Sequence, residues 1–189
     1  MRIVMTGASG LVGGLVVPQL GKHELALVAR RNLADAPVQG RQLIGPIGGW
    51  PELVRQSSHD VAICCLGTTI RIAGSPAAFA AVDSDAAIAF AEAARAAGAR
   101  QLLMVTSVGA NATAGNFYLR TKGEAEAAAA PPANGFGDAA LFAVDHFLET
   151  GNAMSDGMVT HFNADPTATH LMGDGSSGAR AEERIENEV

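Results

Sequence analysis

Between Thr6 and Gly13 the chain reads TGASGLVG, three glycines in the spacing GxxGxxG. They follow a short apolar run, Ile3 to Met5, and open a helix-like stretch from Leu11 to Leu20. Strand, glycine turn and helix in that order constrain this chain more than any other feature. A glycine turn at such a junction lets backbone approach a dinucleotide pyrophosphate, while the helix N-terminus turns unpaired N–H groups and its positive dipole end toward the charge. A side chain at Gly10 would block that approach, Gly13 lets helix and strand pack closely, and the hydroxyls of Thr6 and Ser9 add donors. The expected contacts are Gly7, Ser9, Gly10, Leu11 and Gly13. A glycine-rich loop with no ligand is the plainer reading, and the position between strand and helix argues against it.

The rest of the first 130 residues repeats the alternation. Leu25 to Val28 and Val61 to Leu66 read as buried strands, Gln42 to Ile44 as a weaker one, and Leu102 to Val105 as a fifth. An Ala-rich pattern from Ser75 to Ala97, closed by Gly98, predicts one long helix, and Phe117 to Ala130 predicts another, stopped by Pro131 and Pro132. Trp50, beside Pro51, reads as a surface-loop or edge-packing residue. Alternating strands and helices imply an α/β chain: a Rossmann-type doubly wound parallel sheet in three αβα layers, with a small irregular C-terminal region. With 189 residues, 48% of them hydrophobic, one core suffices. Residues 1–130 form the nucleotide-binding core and 131–189 a C-terminal part of the same domain that covers substrate.

The second predicted strand ends in VARRN. An acidic side chain there favours a free ribose 2′-hydroxyl, whereas arginine favours a 2′-phosphate. Arg30 and Arg31 occupy the junction with no carboxylate before Asp35, so NADP(H) is expected over NAD(H). Leu66, Gly67 and Thr68 end the fourth strand at the same edge and are expected to line the cleft. Ser107 closes the fifth strand, and Tyr118 and Lys122 stand four apart on the next helix, hence on one face. Lys122 then favours the Tyr118 phenolate, Ser107 hydrogen-bonds a reacting carbonyl or hydroxyl, and the class of reaction is carbonyl–alcohol redox on a small molecule. The pair alone is a weak signal, since a packed ring four residues from a solvated amine arises on many helices by chance.

The runs TGASGLVG, CCLGTTIRIAGSPAAFAAVDSD and VTSVGANATAGNFYLRTKGEAE resemble the short-chain dehydrogenase/reductase superfamily, and more narrowly its atypical, TIP30-like bacterial members, over residues 1 to about 128. The resemblance implies a Rossmann-type fold with NADP(H). Carried over by position, Gly7, Gly10 and Gly13 hold the pyrophosphate, Arg30 the 2′-phosphate, and Ser107, Tyr118 and Lys122 the active site. Thr68 and Thr69 sit beside the cofactor and Arg71 approaches the substrate. The family's Arg-Pro-Ser-like motif after a sixth strand is missing here, since no Arg-Pro pair follows residue 130, although Leu141 to Val144 reads as a candidate sixth strand.

Residues 1–130 hold 11 basic and 9 acidic side chains against 2 and 10 in residues 131–189, so the segments carry about +2 and −8. No basic cluster supplies a nucleic-acid surface, no apolar run is long enough for a bilayer, and the opening MRIVMTGASG lacks a secretory pattern. The cytoplasm is the expected address. Cys64 and Cys65 read as two buried thiols on a strand. His161, Asp165, His170 and Asp174 fit no compact zinc spacing, so no metal is expected. Met154, Met158 and Met172 read as core filler, and Ala179 to Val189 as a short charged helix or a frayed end. Dimerisation through helices of the sheet is an expectation by analogy alone. Two other readings stay open: a sensor or interaction protein that binds NAD(P)H without turnover, and an epimerase or dehydratase with retained cofactor.

Overall fold

The computed structural model describes residues 1–34 and 40–129, together with the backbone of 138–144 and 159–163. Seven strands form one sheet: β1 (Arg2–Thr6), β2 (Glu24–Ala29), β3 (Gly40–Ile44), β4 (Val61–Cys64), β5 (Gln101–Thr106), β6 (Asp138–Val144) and β7 (Val159–Asn163). Their order is β3-β2-β1-β4-β5-β6-β7, every neighbouring pair parallel except β6 with β7. The strand order reverses direction between β1 and β4, the point at which doubly wound sheets open a crevice at their carboxyl ends.

Both faces of the sheet are covered, which is why its central strands are apolar throughout rather than alternating. Val4, Val28, Ala62, Cys64, Leu102 and Met104 pack on one side against α2 (Trp50–Arg55), α5 (Ala86–Ala96) and α6 (Phe117–Ala129). Ile3, Met5, Leu25, Leu27, Val61 and Ile63 face the other side, toward α1 (Leu11–Val16) and the 3₁₀ turn Val17–Leu20. The two cores make the three-layer αβα arrangement expected from the alternation of strands and helices.

Several local expectations are corrected. The helix expected from Leu11 to Leu20 is α-helical only to Val16, because Pro18 supplies no N–H and the chain tightens into the 3₁₀ turn. The fourth strand stops at Cys64 rather than Leu66, since its backbone leaves the ladder to pass under the glycine turn. Trp50 is not a surface residue: it is 4% exposed and its indole N–H donates to the Gly45 carbonyl at 2.9 Å, the bond a buried indole requires. The long helix from Ser75 to Ala97 is three pieces: α4 (Pro76–Ala80), a π turn at Ala81–Asp85, and α5. A short α3 (Ile70–Ala73) precedes them, with the Thr69 and Ser75 hydroxyls capping α3 and α4.

In the C-terminal part, where little regular structure is expected, residues 138–144 continue the sheet as β6, whose last residues are the candidate sixth strand, and 159–163 return antiparallel to it. Met154, Met158, Asp165, His170, Met172, Asp174 and the stretch from Ala179 lie outside the described residues, and the side chain of His161, on β7, is likewise not described.

Candidate functional site

At the reversal point the first turn closes onto the end of β4. Gly7 has φ +80°, and a Cβ there would lie 2.2 Å from the Cys65 carbonyl oxygen. A Cβ on Gly13 would lie 2.1 Å from the Gly7 oxygen, so the first helix is pressed against the turn itself. Gly10 differs: a Cβ there would meet only the Gly7 oxygen, at 3.2 Å, and its far side is open. Two of the three glycines therefore serve the fold, while the third leaves space for something outside it.

That space is a cleft of about 470 Å³. The turn contributes Gly7, Ser9 and Gly10, the end of β2 contributes Arg30 and Arg31, and Leu66, Gly67 and Thr68 form the opposite wall. Apolar surface from Val28, Ile47, Trp50 and Val82 completes it. Leu11 does not line the cleft; it sits on α1 with its side chain 54% exposed, because the helix turns it outward. Gly13 is absent for the opposite reason, being buried behind the turn. Thr6 also drops out as a donor: its hydroxyl is buried and points to the Val28 carbonyl at 3.4 Å. Thr69 is engaged as the cap of α3, and Arg71 on that helix is exposed.

Beyond Gly67 the cleft borders a buried charge cluster. Lys122 Nζ lies 2.6 Å from Asp83 Oδ1, both side chains almost wholly buried. Asp83 Oδ2 accepts the Thr68 N–H at 2.9 Å. A Cβ on Gly67 would lie 3.9 Å from both Asp83 Oδ1 and Lys122 Nζ, so the pair forms the floor at this end. One turn beyond Lys122, Glu126 accepts a short hydrogen bond from the Thr106 hydroxyl. Burial pushes the Asp83 and Glu126 carboxyls above their ordinary range, and the Lys122 ammonium pulls against that for both. Cys64 and Cys65 are free thiols pushed up by burial to about 11 and about 12, which keeps them protonated at neutral pH.

Ser107 stands one residue past β5, half-buried, and Tyr118 and Lys122 follow on successive turns of α6. These three do not line the cleft; Lys122 reaches its border through Asp83 and Gly67. The Tyr118 ring rests on Phe79 of α4, centroids 5.5 Å apart. The loop between β5 and α6 is pinned to the helix at Gly123, where a Cβ would fall 2.1 Å from the Asn111 carbonyl carbon. The Asn116 side chain caps the helix by accepting the Leu119 N–H, and the Arg120 guanidinium donates to the Ala114 carbonyl at 2.9 Å.

Asp83 and Glu126 escaped the sequence reading. An Ala-rich stretch gives no sign that a π turn will swing Asp83 inward, although such turns recur where a helix must aim a side chain. Glu126 carries a weak signal, being four residues after Lys122. Gly123 reads as an ordinary helix interior until the loop against it is seen.

No family model matches the chain. It is 32% identical over 133 residues to Protein HTATIP2 of Rattus norvegicus, covering 66% of this chain and 54% of the relative. It is likewise 32% identical over 132 residues to Protein FMP52, mitochondrial, of Meyerozyma guilliermondii, covering 67% and 57%. The chain belongs to the TIP30-like atypical short-chain dehydrogenases/reductases. This TIP30-like chain spans little more than half the length of the curated relatives it matches. A short-chain dehydrogenase/reductase superfamily protein of Agrobacterium tumefaciens, solved with bound NAD, superposes with a TM-score of 0.61 at 15% identity, covering 75% of this chain and 48% of the other. That likeness speaks for the fold. Among the described residues no helix of the TIP30-like chain is long and apolar enough to cross a membrane, and no group of three or more His, Cys, Asp or Glu is placed to hold a metal ion.

Proposed function

We propose that this protein is an NADP(H)-dependent oxidoreductase acting on a small carbonyl or alcohol. The observation that carries the reading is the continuity of the cleft: glycine turn, paired arginines and β4 wall enclose one space, with Lys122 buried at its border. The fit to a dinucleotide is physical. Gly10 leaves the backbone bare on the cleft side, and Arg30 and Arg31 are exposed cations where a 2′-phosphate falls. When bound, the nicotinamide supplies or accepts the hydride. Tyr118 exchanges the proton, Lys122 sets the charge beside it, and Ser107 positions the substrate oxygen. NAD bound in the superposed dehydrogenase/reductase supports a nicotinamide cofactor.

Two measurements test this. NADPH oxidation followed over aldehydes and ketones is expected to fall about 10²- to 10⁴-fold in Tyr118→Phe; equal turnover by both proteins removes Tyr118 from the mechanism. For the cofactor, Arg30→Ala is expected to weaken NADPH binding about tenfold or more by calorimetry while leaving NADH nearly unchanged. Equal losses for the two nucleotides would mean that Arg30 does not read the 2′-phosphate. A cytoplasmic address and a homodimer belong to the same proposal, to be read from cell fractionation and from sedimentation of the full chain.

A further inference from the structure

Three segments that are separate in sequence converge behind the β4 wall of the cleft. Gly67 and Thr68 come from the chain just past β4, Asp83 from the π turn Ala81–Asp85, and Lys122 from α6. The Asp83 side chain stands between the other two. Its Oδ1 lies 2.6 Å from Lys122 Nζ, and its Oδ2 accepts the Thr68 N–H at 2.9 Å. Among the described residues Lys122 has no other ion-pair partner, and Glu126, one turn along the helix, is occupied by the Thr106 hydroxyl. A Cβ on Gly67 would lie 3.9 Å from both Asp83 Oδ1 and Lys122 Nζ, so the pair backs directly on the wall that faces the cleft.

Stability alone does not account for this arrangement. An ion pair taken out of water gains little over apolar side chains of the same volume. The π turn that swings Asp83 inward gives up regular α-helical bonding, and turns of this kind are frequent at functional sites. An ionised carboxylate also has what an amide or hydroxyl lacks, two acceptor oxygens and no proton of its own. Two donors, one on each side, call for that residue type.

We propose that Asp83 is a positioning residue: one carboxylate holds the Lys122 ammonium and the Thr68 backbone in a single register, so that the wall against which the nucleotide lies and the lysine beside it are set together. The role rests on the nucleotide reading of the cleft. Asp83 itself does not line the cleft and acts through its two partners. Those partners differ in freedom, because the Thr68 N–H is fixed in the wall while the ammonium ends a flexible four-carbon stem. An asparagine at 83 has one acceptor oxygen, so it keeps the fixed donor, turns its own N–H groups toward the lysine and releases it.

The chain's only lysines are Lys22, exposed, and Lys122, buried. Acetylation by an N-hydroxysuccinimide ester, read by peptide mass spectrometry, therefore compares the two in one sample. In wild type Lys122 is expected to react about 100-fold or more slower than Lys22. Asp83→Asn is expected to raise the Lys122 rate about tenfold or more while NADPH affinity, by calorimetry, stays within about threefold. Asp83→Ala, which serves neither donor, raises the rate equally and weakens NADPH binding about tenfold or more. On any carbonyl that wild type reduces, Asp83→Asn lowers kcat about tenfold or more and leaves the KM for NADPH in place. Circular dichroism confirms that each variant is folded in the assay.

A wild-type Lys122 that reacts as fast as Lys22 overturns the proposal, and this arm needs no variant. So does an Asp83→Asn protein that keeps Lys122 shielded, or an Asp83→Ala protein with undiminished NADPH affinity. Equal losses of both properties in the two variants place the effect in the fold at large and overturn it too. Wild type that shields Lys122 yet binds neither NADPH nor NADH removes the nucleotide reading, while Asp83→Asn still reads the hold on the lysine. NADPH binding with an unshielded Lys122 removes this inference alone.

Discussion

Gly7→Ala is expected to unfold the protein or leave it with a small residue of its stability. At φ +80° an alanine is strained by about 1 to 2 kcal/mol before any contact is counted. Its Cβ would then stand 2.2 Å from the Cys65 oxygen and 2.8 Å from the Leu66 nitrogen, which are backbone atoms at the end of the neighbouring strand. Relief requires β1 and β4 to separate at the centre of the sheet, so a loss of about 4 kcal/mol or more is expected in urea unfolding. Gly10→Ala is the control that gives this prediction its meaning. Its Cβ meets one atom at 3.2 Å, so stability stays within about 1 kcal/mol of wild type. Nucleotide binding nevertheless falls steeply, because the methyl group enters the space left for the pyrophosphate. Undiminished binding by Gly10→Ala would show that the turn does not hold a nucleotide in the way proposed.

Lys122→Met is expected to cost about 3 to 5 kcal/mol, the usual penalty for leaving one member of a buried ion pair without its partner. The Asp83 side chain is wholly buried, and without the ammonium only Oδ2 keeps a partner, the Thr68 N–H. The variant also predicts its own pH dependence. With the ammonium gone, burial of Asp83 is opposed only by the Thr68 hydrogen bond, so its folded carboxyl titrates above the unfolded value, and the neutral form is the one the fold favours. Stability is then recovered as pH falls through that raised value and lost as pH rises. Adding Asp83→Asn to Lys122→Met removes the stranded charge while keeping an acceptor for Thr68, and is expected to restore most of the loss. A double variant as unstable as Lys122→Met would mean that packing around the lysine stem, not charge, dominates at this site.

Nearly all of the glycine-turn end of the cleft was legible in the chain itself, because its requirements are local. A turn that follows a strand and opens a helix has to be glycine wherever backbone meets backbone, and Gly7 and Gly13 meet that need within seven residues of each other. The strand-forming runs were equally plain, since burial on both faces leaves a continuous apolar signature in β1, β2 and β4. Leu11 shows where this local logic ends: adjacency to a glycine turn does not determine which way the first helix points its side chains.

The chemistry of the second half of the site was decided by distance in space. Asp83 and Lys122 are far apart along the chain, and no pattern in either segment announces that a π turn will bring one to 2.6 Å from the other. Trp50 reads as a peripheral residue beside a proline, and only the packing of α2 under the sheet makes it part of the cleft wall. What the sequence determined by itself was the alternation of strands and helices through β5 and the glycine turn that joins the first two, since both follow from periodicity and steric size over short spans. Tertiary structure alone decided that Lys122 and Asp83 share one buried site at the border of the cleft, because an electrostatic contact depends on which groups meet in a dry interior, not on how many residues lie between them.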